Sequence, residues 1–239
     1  MTQKSKGPLS GITVVDLSRI LAGPYCTLLL AEMGARVIKV ESPKGGDDAR
    51  AYGPYVNGRS TYFASVNRGK QSIALDLKSD TDRAIFEKLL AKADVVVENF
   101  RPGTMEKLGF GWETLHAKYP QLIYASASGF GHTGPNSRDP AYDMVVQGLG
   151  GVMSITGSEG GEPVRVGMSI GDIGAGLYTA VAVNALTAGM RSVRSTAPWT
   201  RSRASCRPTR PRRAAATTGR RDPANCLPTS AASCAKIWS

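Results

Sequence analysis

Residues 12–41 read ITVVDLSRILAGPYCTLLLAEMGARVIKVE, and the order of elements within that stretch decides the fold. Residues 12–18 form a short β-rich run. Residues 24–33 follow with apolar side chains at helical spacing and stop at Gly34, and residues 36–41 are a second β-rich run. A strand, a helix and a second strand in such close succession make a βαβ unit, whose crossover favours a parallel sheet.

The alternation continues outward. Residues 72–77 (SIALDL) read as a strand, 79–93 as a helix, 94–100 (DVVVENF) as a strand, 112–119 as a helix and 122–126 (LIYAS) as a further strand. In the 79–93 helix Ile85, Leu89 and Lys92 share a face, and Ser79 with Asp82 approximates an N-terminal capping box. The expected fold is therefore an α/β, Rossmann-like parallel-sheet domain. Beyond Gly129 the chain turns to glycine-rich loops around apolar pieces, and residues 172–190 read as a closing helix.

Charge marks a second boundary. The 239 residues hold 30 Lys and Arg against 19 Asp and Glu. Residues 191–239 carry 11 of those cations and a single acid, Asp222, so residues 1–190 are almost neutral. This split excludes a whole-chain basic nucleic-acid binder, which needs its charge on the folded face that meets phosphate. The expected organisation is a domain over residues 1–190 and a basic tail over 191–239 that is rich in Arg, Ala, Ser, Thr and Pro, lacks useful periodicity and buries no core of its own.

Several chemistries lack their residues. Cys26, Cys206, Cys226 and Cys234 form no Cys-x-x-Cys pair, so neither a zinc site nor a disulfide framework is expected, and a reducing cytoplasm is the expected compartment. No signal peptide is read at the N-terminus, and the uncharged run 173–190 contains Gly174, Gly176, Asn184 and Gly189, which suits a buried helix rather than a membrane span. Residues 129–134 (GFGHTG) match a dinucleotide fingerprint, but Pro135 and Pro140 follow where a helix should open. There is no G-x-S-x-G elbow, and His116 and His132 stand in no metal-ligand cluster. Asp172, in MSIGDIGAG (residues 168–176), is the acid that stands out. Two readings are open: an N-cap aspartate, or a nucleophilic carboxylate near a helix N-terminus whose small neighbours leave room for an electrophile.

Six segments together resemble one family: PLSGITVVD (8–16), AGP (22–24), LAEMGARVIKVE (30–41), NRGKQSIALD (67–76), ADVVVENFRPG (93–103) and SIGD (169–172). They resemble the class III CoA-transferases of the CaiB/BaiF type, the group of formyl-CoA transferase and the carnitine CoA-transferases that also includes α-methylacyl-CoA racemases. The resemblance implies that Asp172 attacks an acyl-CoA carbonyl to give a mixed anhydride and CoA thiolate. The thiolate then re-attacks to form an aspartyl-CoA thioester as the donor acid leaves, and an acceptor carboxylate runs the cycle in reverse. CoA is then a substrate, and no permanently bound cofactor is required.

Carried over position by position, the resemblance implies that CoA lies against Leu21, Ala22, Leu75, Lys78, Asn99, Phe100 and Lys107, with Tyr142 and Asp143 bordering the acyl site. Ser42 and Pro140 stand where relatives can carry phosphate-binding cations. The racemase branch needs a histidine where this chain has Tyr142, which favours the transferase; a non-catalytic CoA-binding remnant is the other alternative. Relatives are longer, with a small second domain missing here, and they form interlocked homodimers. No membrane partner is implied. The resemblance ends near Arg191, and the expected origin of the tail is a frameshift in a GC-rich gene. The competing reading of the tail, an arm for nucleic acid, lacks stacking aromatics, since Trp199 and Trp238 lie far apart.

Overall fold

The computed structural model describes residues 7–195 and 234–238. In chain order the elements are β1 (Thr13–Asp16), α1 (Ala22–Glu32), β2 (Arg36–Glu41), a 3-10 turn (Asp48–Ala51), β3 (Tyr55–Val56), β4 (Arg59–Ser60), α2 (Thr61–Asn67), β5 (Gln71–Ala74), α3 (Asp80–Leu90), β6 (Val95–Glu98), α4 (Thr104–Lys107), α5 (Trp112–Lys118), β7 (Ile123–Ser128), α6 (Asp143–Leu149), a second 3-10 turn (Val152–Ile155), α7 (Ile170–Ser195) and β8 (Cys234–Trp238).

The main sheet runs β5-β2-β1-β6-β7-β8, with the first five strands parallel and β8 antiparallel to β7. The chain builds outward from β1 through β2 to β5, then returns to place β6 on the other side of β1. The direction of winding therefore reverses between β1 and β6, and an open α/β sheet presents its ligand crevice outside the carboxyl ends of strands at such a switch point.

Both faces of the sheet are covered, which explains why its strands read as near-continuous apolar runs. On one face Val14, Val37, Val95, Val97, Ile123 and Ala125 pack with Cys26 and Leu30 of α1 and with Ala180 and Val183 of α7. On the other, Val15, Val40, Val96 and Tyr124 pack with Phe86 and Leu90 of α3, Met105 of α4 and Leu115 of α5. Successive residues of β6 thus enter opposite cores, as the two-residue period of a strand requires.

Four differences from the sequence reading have physical causes. Ser79 caps nothing with its side chain; Asp82 instead accepts the Asp76 N–H at 2.8 Å, which closes the turn after β5 and leaves the capping box unformed. The excursion between β2 and β5, with its β3–β4 hairpin and α2, has no clear period in the sequence, because its elements are only two to seven residues long and pack on α1 and on one another rather than within the main sheet. α7 continues through Ser195, past the expected boundary at residue 190. Finally, residues 234–238 of the tail form β8 on the open edge of β7, where strand pairing depends on backbone groups more than on apolar periodicity. The remaining tail reading, over residues 196–233, lies outside the described residues.

The contact between α1 and α7 sets the position of the C-terminal helix. A Cβ added at Gly176 would stand 2.4 Å from the Ala22 carbonyl oxygen, 3.1 Å from the Tyr25 ring and 3.3 Å from the Cys26 nitrogen, so only glycine permits this approach. Two residues earlier, a Cβ at Gly174 meets nothing within 4 Å. Chemical denaturation of the two alanine variants should therefore give opposite signs. Gly176→Ala is expected to lose about 1–3 kcal/mol through overpacking, and Gly174→Ala to gain about 0.5–1 kcal/mol of helix propensity.

Candidate active site

The crevice forms where β1 and β6 end. After β1 the chain makes a tight turn through residues 17–22, in which Ile20 adopts φ 67°, a left-handed conformation costly for a β-branched residue. Neighbours hold it there. Asn99, just beyond β6, accepts the Arg19 N–H through Oδ1 at 2.7 Å and donates Nδ2 to the Arg19 carbonyl at 2.8 Å. Asp47 accepts the Ile20 N–H at 3.0 Å and pairs with Lys39 at 2.8 Å, while Lys39 Nζ also donates to the Ser18 carbonyl at 2.6 Å.

Lys39 lies inside the sheet at 1% exposure, so its charge is tolerated only because these partners surround it. Beside it Glu41 takes Arg50 at 2.7 Å, with the Ser72 hydroxyl at 2.6 Å. Burial raises the Glu41 pKa, yet the hydrogen bonds from Arg50, Ser72 and the Asp47 N–H outweigh it and hold the carboxyl at about 2. A second buried cluster secures the other side of the turn. Asp16 accepts from Ser18, from Thr27 at 2.6 Å and from Lys70 at 3.1 Å. Burial opposes its ionisation, but the Lys70 and Lys39 charges and the two hydroxyls prevail and hold its pKa below the ordinary value. Lys70 also donates to the Pro24 carbonyl at 2.9 Å, tying the first turn of α1 to the end of α2.

Two cavities open above this framework. The first, about 340 Å³, is walled by Leu17, Val40, Leu75, Leu77 and Leu108, with Lys44 and Lys78 at its sides. The second, about 500 Å³, includes Leu21, Ala22, Asn99, Tyr142, Asp143 and Asp172. Arg19 and Phe100 line both. Phe100 is itself placed by the buried Glu98, which accepts its N–H at 2.7 Å.

The structure thus gathers most of the expected contact set at one crevice. Leu75 and Lys78 border the first cavity, Leu21, Ala22, Asn99, Tyr142, Asp143 and Asp172 the second, and Phe100 both. Lys107 borders neither; it is exposed at the end of α4. Sequence reasoning missed Arg19, Lys39 and Asp47. A lysine inside an apolar central strand was the available signal, because a charge buried there demands a partner.

Asp172 occupies the first turn of α7 and is half-buried. The acid that serves the backbone of that turn is Asp143, whose Oδ1 accepts the Gly171 N–H at 2.8 Å. Gln147 steadies Asp143 by donating to its Oδ2 at 2.7 Å and fixes the preceding loop by accepting the Val166 N–H at 2.7 Å. The N-cap role considered for Asp172 is therefore filled from α6, and the Asp172 carboxylate is left facing the cavity. Burial, then the Asp143 charge, push its pKa up to about 6. At pH 7 such a group is still ionised about ten to one, and it is more basic than an ordinary aspartate.

These elements define a Rossmann-like α/β domain with a crevice at the switch point of its sheet and, over one end, the Asp172 carboxylate, which makes no hydrogen bond among the described residues. The chain belongs to CoA-transferase family III, whose model matches residues 9–196. It is 53% identical over 176 residues to an acetyl-CoA:oxalate CoA-transferase of Acetobacter aceti, covering 73% of this chain and 45% of that protein. A succinate–glutarate CoA-transferase of Agrobacterium fabrum is 47% identical over 195 residues, covering 78% and 49% respectively. The crystal structure of a CaiB/BaiF family protein from Brucella suis superposes with a TM-score of 0.74 at 46% identity, covering 79% of this chain and 50% of that one. The chain spans about half the length of the curated relatives it matches. Among the described residues no helix is long and apolar enough to cross a membrane.

The raised Asp172 pKa has a definite sign in stability. Its folded value, about 6, lies above the ordinary 3.8, so the fold favours the neutral acid and stability contributed below pH 3.8 is lost as pH rises through 6. Asp172→Asn, neutral throughout, should gain in Tm relative to the unsubstituted chain between about pH 4 and pH 7 and then hold a constant lead. A Tm difference independent of pH across that range would show that Asp172 is not destabilised by its site.

Proposed function

We propose that this chain carries the nucleophile of a CoA-transferase that moves CoA between an acyl-CoA and a small carboxylic acid. The observation that carries the reading is the half-buried Asp172 carboxylate, raised to about pKa 6, in the wall of a cavity joined by Arg19 and Phe100 to a second, apolar and cationic one. Family membership and the names of the relatives support it.

In the first step an Asp172 oxygen attacks the thioester carbonyl, the carbon–sulfur bond breaks, and CoA leaves as thiolate. The thiolate attacks the aspartyl carbonyl of the anhydride, forming an aspartyl-CoA thioester and releasing the donor acid. The acceptor carboxylate then attacks that thioester, CoA leaves again, and attack on the acyl side of the new anhydride gives the product thioester and restores Asp172. Each intermediate remains an activated acyl group, so the thioester energy is retained and the cycle itself requires no metal or redox cofactor.

Asp143 acts through position and charge. It fixes the first turn of α7 and raises the basicity of Asp172, while Ala22, at the uncapped start of α1, adds a helix N-terminus to the same cavity. Two of the relatives are named for oxalate and for succinate and glutarate. Arg101 in the cavity wall supplies the cation that a second carboxylate would need, and we extend the proposal to a small dicarboxylic acid as acceptor.

Incubation with acetyl-CoA or succinyl-CoA followed by peptide mass spectrometry tests the assignment. An acyl or CoA adduct is expected on the peptide containing Asp172, absent from Asp172→Asn, and its rate of formation should rise through about pH 6. CoA binding without any adduct would instead identify a non-catalytic binding domain. α-Deuterium exchange of a chiral 2-methylacyl-CoA in heavy water without acceptor acid would favour the racemase alternative.

A further inference from the structure

Arg19 has a position that the contact set described so far does not use. It is common to both cavity walls, and its backbone N–H and carbonyl are both fixed by Asn99. Its guanidinium lies at the junction on Asp48, with Nη2 3.0 Å from each carboxylate oxygen. The side chains of this pair are 42% and 53% exposed, so water and salt screen their attraction and Asp48 is exchangeable.

The surrounding charges separate the two ends. In the first cavity Lys39 is taken by Asp47 and Glu41 by Arg50, which leaves Asp76 and the cations Lys44 and Lys78 beside an apolar wall. The second is predominantly acidic, with Asp48, Asp139, Asp143 and Asp172 against Arg19 and Arg101. A ligand reaching from the first cavity to Asp172 passes Arg19, which lines both. If its ends are a nucleotide and a thioester, as the reading above holds, the group between them that most needs a cation is the pyrophosphate.

We propose that Arg19 is a binding residue for that pyrophosphate, exchanging the Asp48 carboxylate for phosphate oxygens when the thioester enters. The planar fork of arginine suits this exchange, because it satisfies either partner with paired N–H donors. Asp48 acts as an internal competitor that keeps the guanidinium at the junction in the free protein.

The experiment is calorimetric titration of the full chain with CoA and with dephospho-CoA, which keeps the pyrophosphate and lacks the 3′-phosphate. Arg19→Ala should weaken both ligands about tenfold, and Arg19→Lys should retain part of the affinity. Asp48→Asn should tighten both, because it removes the competitor. Unchanged affinity in Arg19→Ala overturns the proposal. So does a loss confined to CoA, which would assign Arg19 to the 3′-phosphate, or a weakening in Asp48→Asn equal to that in Arg19→Ala, which would make the ion pair merely structural. Absence of CoA binding by the unsubstituted chain would be a separate result, overturning the functional reading on which this inference rests.

Discussion

The double hydrogen bond between the Asn99 side chain and the Arg19 backbone joins the two halves of the sheet where their winding diverges. Beyond the Leu17 N–H bond to the Val97 carbonyl at 2.8 Å, it is this pair that carries the tie from the strands into the turn and sets the width of the crevice. The left-handed Ile20 is the cost of that geometry. Lys39, Asp47 and Asp16 beneath it supply compensating partners in a low-dielectric interior, where losing one member of such a pair typically costs about 3–5 kcal/mol. A buried ionic lattice of this kind adds little net stability over an apolar core, but it specifies one conformation for the turn.

The position of Asp172 follows from constraints at some distance from its own side chain. Gly176 lets α7 meet the Ala22 carbonyl, which fixes the helix against α1, and Asp143 receives the Gly171 N–H, which fixes its first turn. The same Asp143 charge and the same burial that accompany this packing keep Asp172 less acidic than an ordinary carboxylate. Packing and reactivity are thus linked through two residues, one that permits close approach and one that supplies both a cap and a negative field.

Much of this was legible in the sequence. The βαβ order of residues 12–41 located the parallel sheet, and ENFRPG and SIGD, read through their family resemblance, pointed to the end of β6 and the first turn of α7, which border the crevice. What could not be read was pairing across long separations. Nothing local to Lys39 names Asp47 as its partner, and nothing local to Asp172 shows that Asp143 takes the backbone N–H of that turn, the capping role that was one of the two readings of Asp172. Lys107, carried over by motif position, stands exposed at the end of the short α4 and lines neither cavity. β8 escaped notice because an added edge strand is recognised by the backbone groups it completes, and composition reports only side chains.

The central claim is that one ligand occupies both cavities across the turn of residues 17–22. Amide hydrogen exchange of the chain with and without saturating CoA tests it most directly. The account predicts slowed exchange confined to residues 17–22, 75–78, 99–102 and the segments around Tyr142 and Asp172. Protection of only one cavity's segments, or protection centred elsewhere on the sheet, would contradict it.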